Sequence, residues 1–271
     1  MRLLRVEFRR LFARRFTRLA TLLLVVVIGL IVFTSAHNSH QPVAGEQFSD
    51  VFVLREQLPS VVDALALLLS VFAFLVGASF IGAEWHHGTM ASLLLWEPRR
   101  VKVYLSKLFA FFGGTVLIGV LGYAIGIAAH WVVARQLGDA SGITRGFEYS
   151  LGLRVLRGVA LALCLGSVGF AVAYAVRLSA AAMGLAIAYF IGGEIGLRAF
   201  GTNVERWLLS NNVNAWLDNG TQVSSYTCDS GGNCQEHLIT ISIWQSGIYL
   251  GGIALVVLLL SAVWFARRDV T

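Results

Sequence analysis

Apolar residues run along this chain in long uninterrupted stretches, and polar residues collect in the gaps between them. Six stretches stand out, at 19–36, 61–83, 108–133, 158–176, 180–199 and 244–266. Each approaches or exceeds the roughly 20 apolar residues that an α-helix needs to cross the hydrocarbon core of a bilayer. Ahead of the first, residues 1–18 carry Leu4, Phe8, Leu11 and Phe12 at helical spacing, with Arg2, Arg5, Arg9, Arg14 and Arg18 elsewhere around the wheel. That pattern predicts an amphipathic helix lying in the membrane interface. No A-x-A site follows the apolar run 19–36, so it is expected to stay as the first crossing and not to be removed as a signal peptide. In the last stretch Trp244 and Trp264 stand about 30 Å apart at helical rise, one for each interfacial belt. Six crossings put both termini on one side.

Composition agrees with this pattern: 57% of 271 residues are hydrophobic, only 13% are charged, and the mean hydropathy is +0.73. These values mark an integral membrane protein and exclude a soluble enzyme of the same length. The expected fold is therefore an all-α membrane protein, an amphipathic helix at 1–18 followed by one six-helix membrane domain at 19–271. Its two main loops are 84–107 and 200–238.

Charge orients the bundle. The arm before the first stretch, the loop 84–107, Arg177 and the pair Arg267 and Arg268 hold fourteen of the 21 Lys and Arg residues. The loops on the other side, together with Asp63 at the outer start of its span, hold ten of the 15 acids, among them Glu46, Asp50, Glu205, Asp218, Asp229 and Glu236. Cations accumulate on the cytoplasmic side, so both termini and the loop 84–107 are expected there, with 200–238 outside. The net charge of +6 does not indicate nucleic acid, because the cations flank apolar spans; anionic lipid headgroups are the simpler partner.

The loop 84–107, EWHHGTMASLLLWEPRRVKVYLSK, carries the most information. Trp85 can anchor at headgroup level where the chain leaves the membrane. Thr89 is placed to cap a short helix at 90–96, which Pro98 ends. Leu93, Leu94, Leu95 and Trp96 on that helix are too apolar to face water, so a membrane surface or a partner must cover them. Arg99, Arg100, Lys102 and Lys107 then hold the inner interface or contact a partner.

Glu84, Gly88, Thr89, Leu94, Pro98, the Arg pair after it and Lys107 together resemble the signature of type-2 ABC exporter permeases. The six stretches, the basic amphipathic N-terminal helix and the ARRDV sequence at 266–270 are similar to that family as well. Many members have a basic residue three positions after the Pro; here Val101 stands there, between Arg100 and Lys102.

The resemblance implies a transmembrane permease subunit of an ATP-driven exporter of drug-, lipid- or peptide-like substrates in a bacterial inner membrane. The segment 84–96 would dock on an ATP-binding cassette subunit, with Glu84, Gly88, Thr89, Leu93, Leu94, Pro98, Arg99, Arg100 and Lys107 as the coupling residues. Two copies of the ATPase and a second permease chain, identical or a sibling, would complete the transporter. The chain itself contains no G-x-x-x-x-G-K-[ST] phosphate loop, so ATP and Mg are expected on the partner and no cofactor, metal or catalytic residue on this chain. The alternative reading is a channel or secondary carrier working without ATP.

The remaining polar residues leave alternatives open. Glu194 is an ionisable residue inside a span, and Arg198 lies four residues further on. They fit either a structural ion pair or a substrate or gating role. Asp63 at the outer start of its span fits a helix N-terminal charge effect. Cys228 and Cys234 enclose DSGGN in the external loop, where either a disulfide or two free thiols fits; the exported location favours the bridge. The six His residues are scattered and do not suggest a metal site. Trp207, Leu208, Leu209 and Trp216 are expected against the outer interface. Glycines four apart, Gly122 with Gly126, Gly192 with Gly196 and Gly247 with Gly251, suit close helix contact within or between chains.

Overall fold

In the computed structural model, residues 2–38, 52–139, 143–199, 204–228 and 234–267 are described. His40, Glu46, Asp50, Asp229 and the RDV of the ARRDV sequence lie outside them. The described chain is dominated by helices, as lipid requires, since a helix satisfies its backbone hydrogen bonds internally. In order these are α1 (Arg2–Ala13), α2 (Arg15–Asn38), α3 (Leu54–His86), α4 (Thr89–Trp96), α5 (Arg100–Leu137), α6 (Arg145–Val176), α7 (Ser179–Ala188), α8 (Gly196–Ala199), α9 (Leu209–Leu217) and α10 (Ile243–Arg267). A π-turn, Tyr189–Ile195, joins α7 to α8, and a 3-10 turn, Glu205–Trp207, precedes α9. Short strands β1 (Phe52–Val53) and β2 (Gly138–Asp139) pair in parallel. Longer strands β3 (Thr221–Cys228) and β4 (Cys234–Ile241) form an antiparallel hairpin.

Five helices among the described residues, α2, α3, α5, α6 and α10, are long and apolar enough to cross a membrane. The stretch read as a fifth crossing, 180–199, is a shorter apolar element whose second half leaves α geometry for the π-turn. The chain divides into two compact units, residues 1–73 with 106–163, and 74–105 with 164–271.

In the first unit, α1 is shorter than its apolar pattern implied. It ends at Ala13, where Arg18 donates from Nε to the Phe12 carbonyl and from Nη2 to the Ala13 carbonyl, satisfying carbonyls left open by the last turn. Leu11 and Phe8 press on Gly114 and Gly113 of α5; a Cβ at Gly114 would fall 2.4 Å from Leu11 Cδ2. Beneath this contact Glu7 of α1 and Lys107 of α5 form an ion pair at 2.7 Å with both side chains buried. Further along α5, Gly119, Gly122 and Gly126 admit Leu69, Ile28 and Leu65. Of the glycine pairs, Gly122 and Gly126 are thus used within the chain. Asp63 pairs with Arg154, so a specific partner accompanies the helix-end charge effect read from the sequence. His130 is buried, with Nδ1 2.9 Å from the Gly126 carbonyl.

In the second unit, α3 meets later elements closely enough to need glycine. A Cβ at Gly82 would lie 2.5 Å from the backbone N of Ser179, and one at Gly169 would lie 2.4 Å from the Phe74 carbonyl oxygen. Trp216 turns inward from α9 to cover Gly247 of α10, where a Cβ would meet its ring at 2.8 Å. Leu208 is also buried. Leu208 therefore packs inside the protein, correcting its expected place on the outer interface, while Trp216 is half-buried against α10 and Trp207 stays exposed. Gly192, Gly196 and Gly251 have nothing within 4 Å of a notional Cβ.

Candidate functional site

The short helix in the 84–107 loop forms as expected, but it starts differently. Gly88 precedes it in the left-handed region, at φ 67°, a conformation glycine adopts without steric cost. Thr89 is the first residue of α4 and does not cap it; its hydroxyl donates instead to the Glu84 carbonyl at 3.3 Å. Glu97, in extended conformation, closes the far end, and Pro98 follows it. Lys102 donates to the Glu97 carboxylate, and this hydrogen bond holds Glu97 below the usual carboxylate range.

One side of α4 is anchored and the other is bare. Met90 is fully buried, Leu93 and Leu94 are half-buried, and Glu84 at the end of α3 is buried. Leu95 and Trp96, in contrast, are 85% and 89% exposed. Pro98 and Arg99 are exposed too, while Arg100 is half-buried and reaches the Ala266 carbonyl near the end of α10 at 3.5 Å.

The helices on either side of α4 in the chain share an aromatic cluster that the sequence reading missed. Trp85, one turn before α4, is capped by the Arg177 guanidinium 4.5 Å above its ring and touched edge-on by Phe265 of α10, centroids 6.2 Å apart. Tyr104, in the second turn of α5, sits 4.9 Å from Tyr174 and 5.6 Å from Phe170, both on α6. Its hydroxyl hydrogen-bonds Ser261 Oγ at 2.7 Å and donates to the Leu258 carbonyl at 3.0 Å, both on α10. Tyr174 and Phe265 complete the ring of contacts at 5.0 Å. Arg177 adopts φ 61°, uncommon for a residue with a side chain, in the turn between α6 and α7. Residues of α3, α5, α6, the α6–α7 turn and α10 thus meet in one cluster, to which the two helices flanking α4 in the chain contribute Trp85 and Tyr104. The only local signal for it was the isolated cation Arg177; Tyr104, Phe170, Tyr174 and Phe265 read as ordinary span residues.

The other residues singled out from the sequence fall elsewhere. Lys107 belongs to the first unit, where it is buried against Glu7 and presents no cation at the surface; that corrects its expected place among residues facing a partner. Glu194, in the π-turn, is buried and directed at the start of α9. Arg198 is in α8, and its side chain lies outside the described residues. The register of the β3–β4 hairpin sets Cys228 opposite Cys234 as its last backbone pair.

Long apolar helices define a multi-pass membrane protein, with the short helix α4 on the stretch of chain between two of them. A family model described as ABC-2 family transporter protein matches residues 3–193, and the chain belongs to that family as a membrane permease component. Membership implies an ATP-binding partner subunit. No curated protein matches the sequence as a relative.

Proposed function

We propose that this chain is the transmembrane permease subunit of an ATP-driven ABC exporter, with α4 as the coupling helix that docks on a separate nucleotide-binding subunit. The observation that carries this reading is the pair Leu95 and Trp96, two large apolar side chains almost wholly exposed on a helix whose other side is fixed to the chain. An exposed apolar pair on a rigid base is what an interface anchor looks like, since buried aromatic and aliphatic anchors supply most of the energy of such contacts. Glu84, Gly88, Thr89, Leu93 and Leu94 shape and orient α4, and Pro98, Arg99 and Arg100 form its exit.

In this reading the chain makes six crossings in a bacterial inner membrane, with the shorter element Ser179–Ala199 as the fifth. Both termini and α4 are cytoplasmic, and α9 with the β3–β4 hairpin lies outside. Two ATPase copies and two permease chains make up the transporter; ATP and Mg are bound by the ATPase, and the substrate is drug-, lipid- or peptide-like. Facing positions in an antiparallel pair have Cα atoms about 4.5–5.5 Å apart, within the range a disulfide spans, which supports a Cys228–Cys234 bridge. Thiol labelling without reduction should then modify Cys164 alone; labelling of Cys228 or Cys234 would refute the bridge.

The test of the docking role is affinity purification of wild type and of the double variant Leu95→Asp with Trp96→Asp in mild detergent. Both side chains are surface residues, so the variant should fold. A stoichiometric ATPase retained by wild type and lost from the variant is the expected result. Equal recovery with both, or none with either, would count against the coupling role.

A further inference from the structure

Glu194 has a use that neither its neighbour Arg198 nor a substrate is needed to explain. Its Oε1 accepts the backbone N–H of Leu209 at 2.6 Å and that of Ser210 at 3.2 Å, and its Oε2 accepts the Ser210 hydroxyl at 2.7 Å. The Tyr189 hydroxyl donates to Oε1 at 3.3 Å. Leu209 and Ser210 are the first residues of α9, and the N-cap residue Leu208 has no side chain able to cap it. The first N–H groups of a helix lack intrahelical acceptors and carry partial positive charge, so a carboxylate there completes the helix. Such a cap is ordinarily a Ser, Thr, Asp or Asn at the helix start itself. Here it comes from fifteen residues earlier, out of an apolar element in which burying a carboxylate is otherwise unfavourable.

The backbone beneath Glu194 is also unusual. Tyr189–Ile195 is wound as a π-turn, a geometry that is rare and often found at functional sites. Relaxation of this turn to α geometry would rotate the residues after it about the axis by up to about 100° per residue of register, and the carboxylate would leave the α9 amides. It is the π winding that sets the Glu194 carboxylate on the α9 amides. A second hydrogen bond from the same unit, Tyr249 hydroxyl to the Trp207 carbonyl at 2.7 Å, fixes the approach to α9 to the last helix, so release at Glu194 frees the helix start while its anchor remains.

We propose that Glu194 is a positioning residue that latches α9 to the π-turn, and that release of this latch is a step of the transport cycle. The proposal rests on the permease reading for its second half only. The test is hydrogen–deuterium exchange of the peptide spanning 204–213 in the complex with its ATPase, nucleotide-free and vanadate-trapped, for wild type and Glu194→Gln. In wild type the α9 amides should be slow without nucleotide and about tenfold faster when trapped. In Glu194→Gln they should be fast in both states while the ATPase is still bound.

Equal protection in both states of wild type would make the contact a static cap and overturn the latch. Unchanged exchange in Glu194→Gln would overturn the role of the carboxylate. Ser210→Ala, which removes one donor from the other side, should give an intermediate acceleration even if Glu194→Gln does not fold; no acceleration would count against the latch. If no ATPase copurifies, the permease reading fails, while the isolated chain still reports whether Glu194→Gln loosens α9. Faster exchange there supports the hold on α9, and equal exchange refutes it.

Discussion

Lys107 and Glu7 illustrate how a single contact redirects a residue's role. Two charges buried at 2.7 Å hold each other in place, and removing Lys107 leaves Glu7 with only the half-exposed Arg10, 3.2 Å away, as its counter-charge. Lys107→Met alone is therefore expected to lower stability, by less than the roughly 3–5 kcal/mol of a fully orphaned buried charge because Arg10 remains beside Glu7, measured by thermal unfolding in detergent. The double change with Glu7→Leu should recover most of that loss, since a well-packed apolar pair often substitutes for a buried ion pair. Equal destabilisation by single and double variants would show that the pair contributes by shape and not by charge. The sequence could not reveal this pairing: the partners are 100 positions apart, and a Lys at the foot of a span reads equally well as an interface anchor. Glu194 was legible as an exceptional residue but its partner was not, because the N-terminus of α9 offers backbone amides, which leave no mark on side-chain pattern.

Among the elements, those set by long apolar runs were the most legible. Helices α2, α3, α5, α6 and α10 overlap the stretches hydropathy picked out, although α3, α5 and α6 run well past the apolar core, to 33, 38 and 32 residues. The overrun matters, since it carries Tyr104 and Arg100 into the same helix as the span. Elements decided by a few local contacts were not legible. The end of α1 depends on the reach of Arg18 to two carbonyls, and the β3–β4 hairpin lies in a polar loop whose alternation, QVSSYT against QEHLIT, was hidden by the low hydrophobicity of both strands. The π-turn has no apolar signature at all.

The aromatic cluster ties α3, α5, α6 and α10 to one another, and under the proposed coupling role its strength sets how faithfully a push on α4 reaches α10. Tyr104→Phe removes the hydroxyl shared with Ser261 and Leu258 but keeps the ring, so the stability loss should be only about 1 kcal/mol. Ser261 retains its own bond to the Leu258 carbonyl. Phe265→Ala empties the centre of the cluster and should lower stability by about 3–5 kcal/mol. In the complex, the Tyr104→Phe variant should bind the ATPase normally yet lose most of the nucleotide-dependent change in hydrogen exchange at residues 258–265. A wild-type response in that variant would mean that the force takes another route.

For the whole molecule, the chain is a membrane component of the ABC-2 transporter family, and the exposed pair Leu95 and Trp96 supports the proposed reading of an ATP-driven machine whose engine is a separate chain. Orientation follows from charge alone, so it is open to direct test: single cysteines introduced at the N-terminus and at position 92 should react with a membrane-impermeant thiol reagent only after the cells are broken. One at 219, in the turn before β3, should react in intact cells. The opposite pattern would invert the topology and remove α4 from the cytoplasm.

The most direct measurement is a photo-crosslink from position 96 in native membranes, with a photoreactive phenylalanine analogue in place of Trp96. The expected product is a covalent adduct with an ATP-binding cassette subunit, mapped to that subunit by mass spectrometry and lost when Leu95→Asp is added. Adducts confined to lipid, or to proteins without a nucleotide-binding domain, would contradict α4 as the coupling helix.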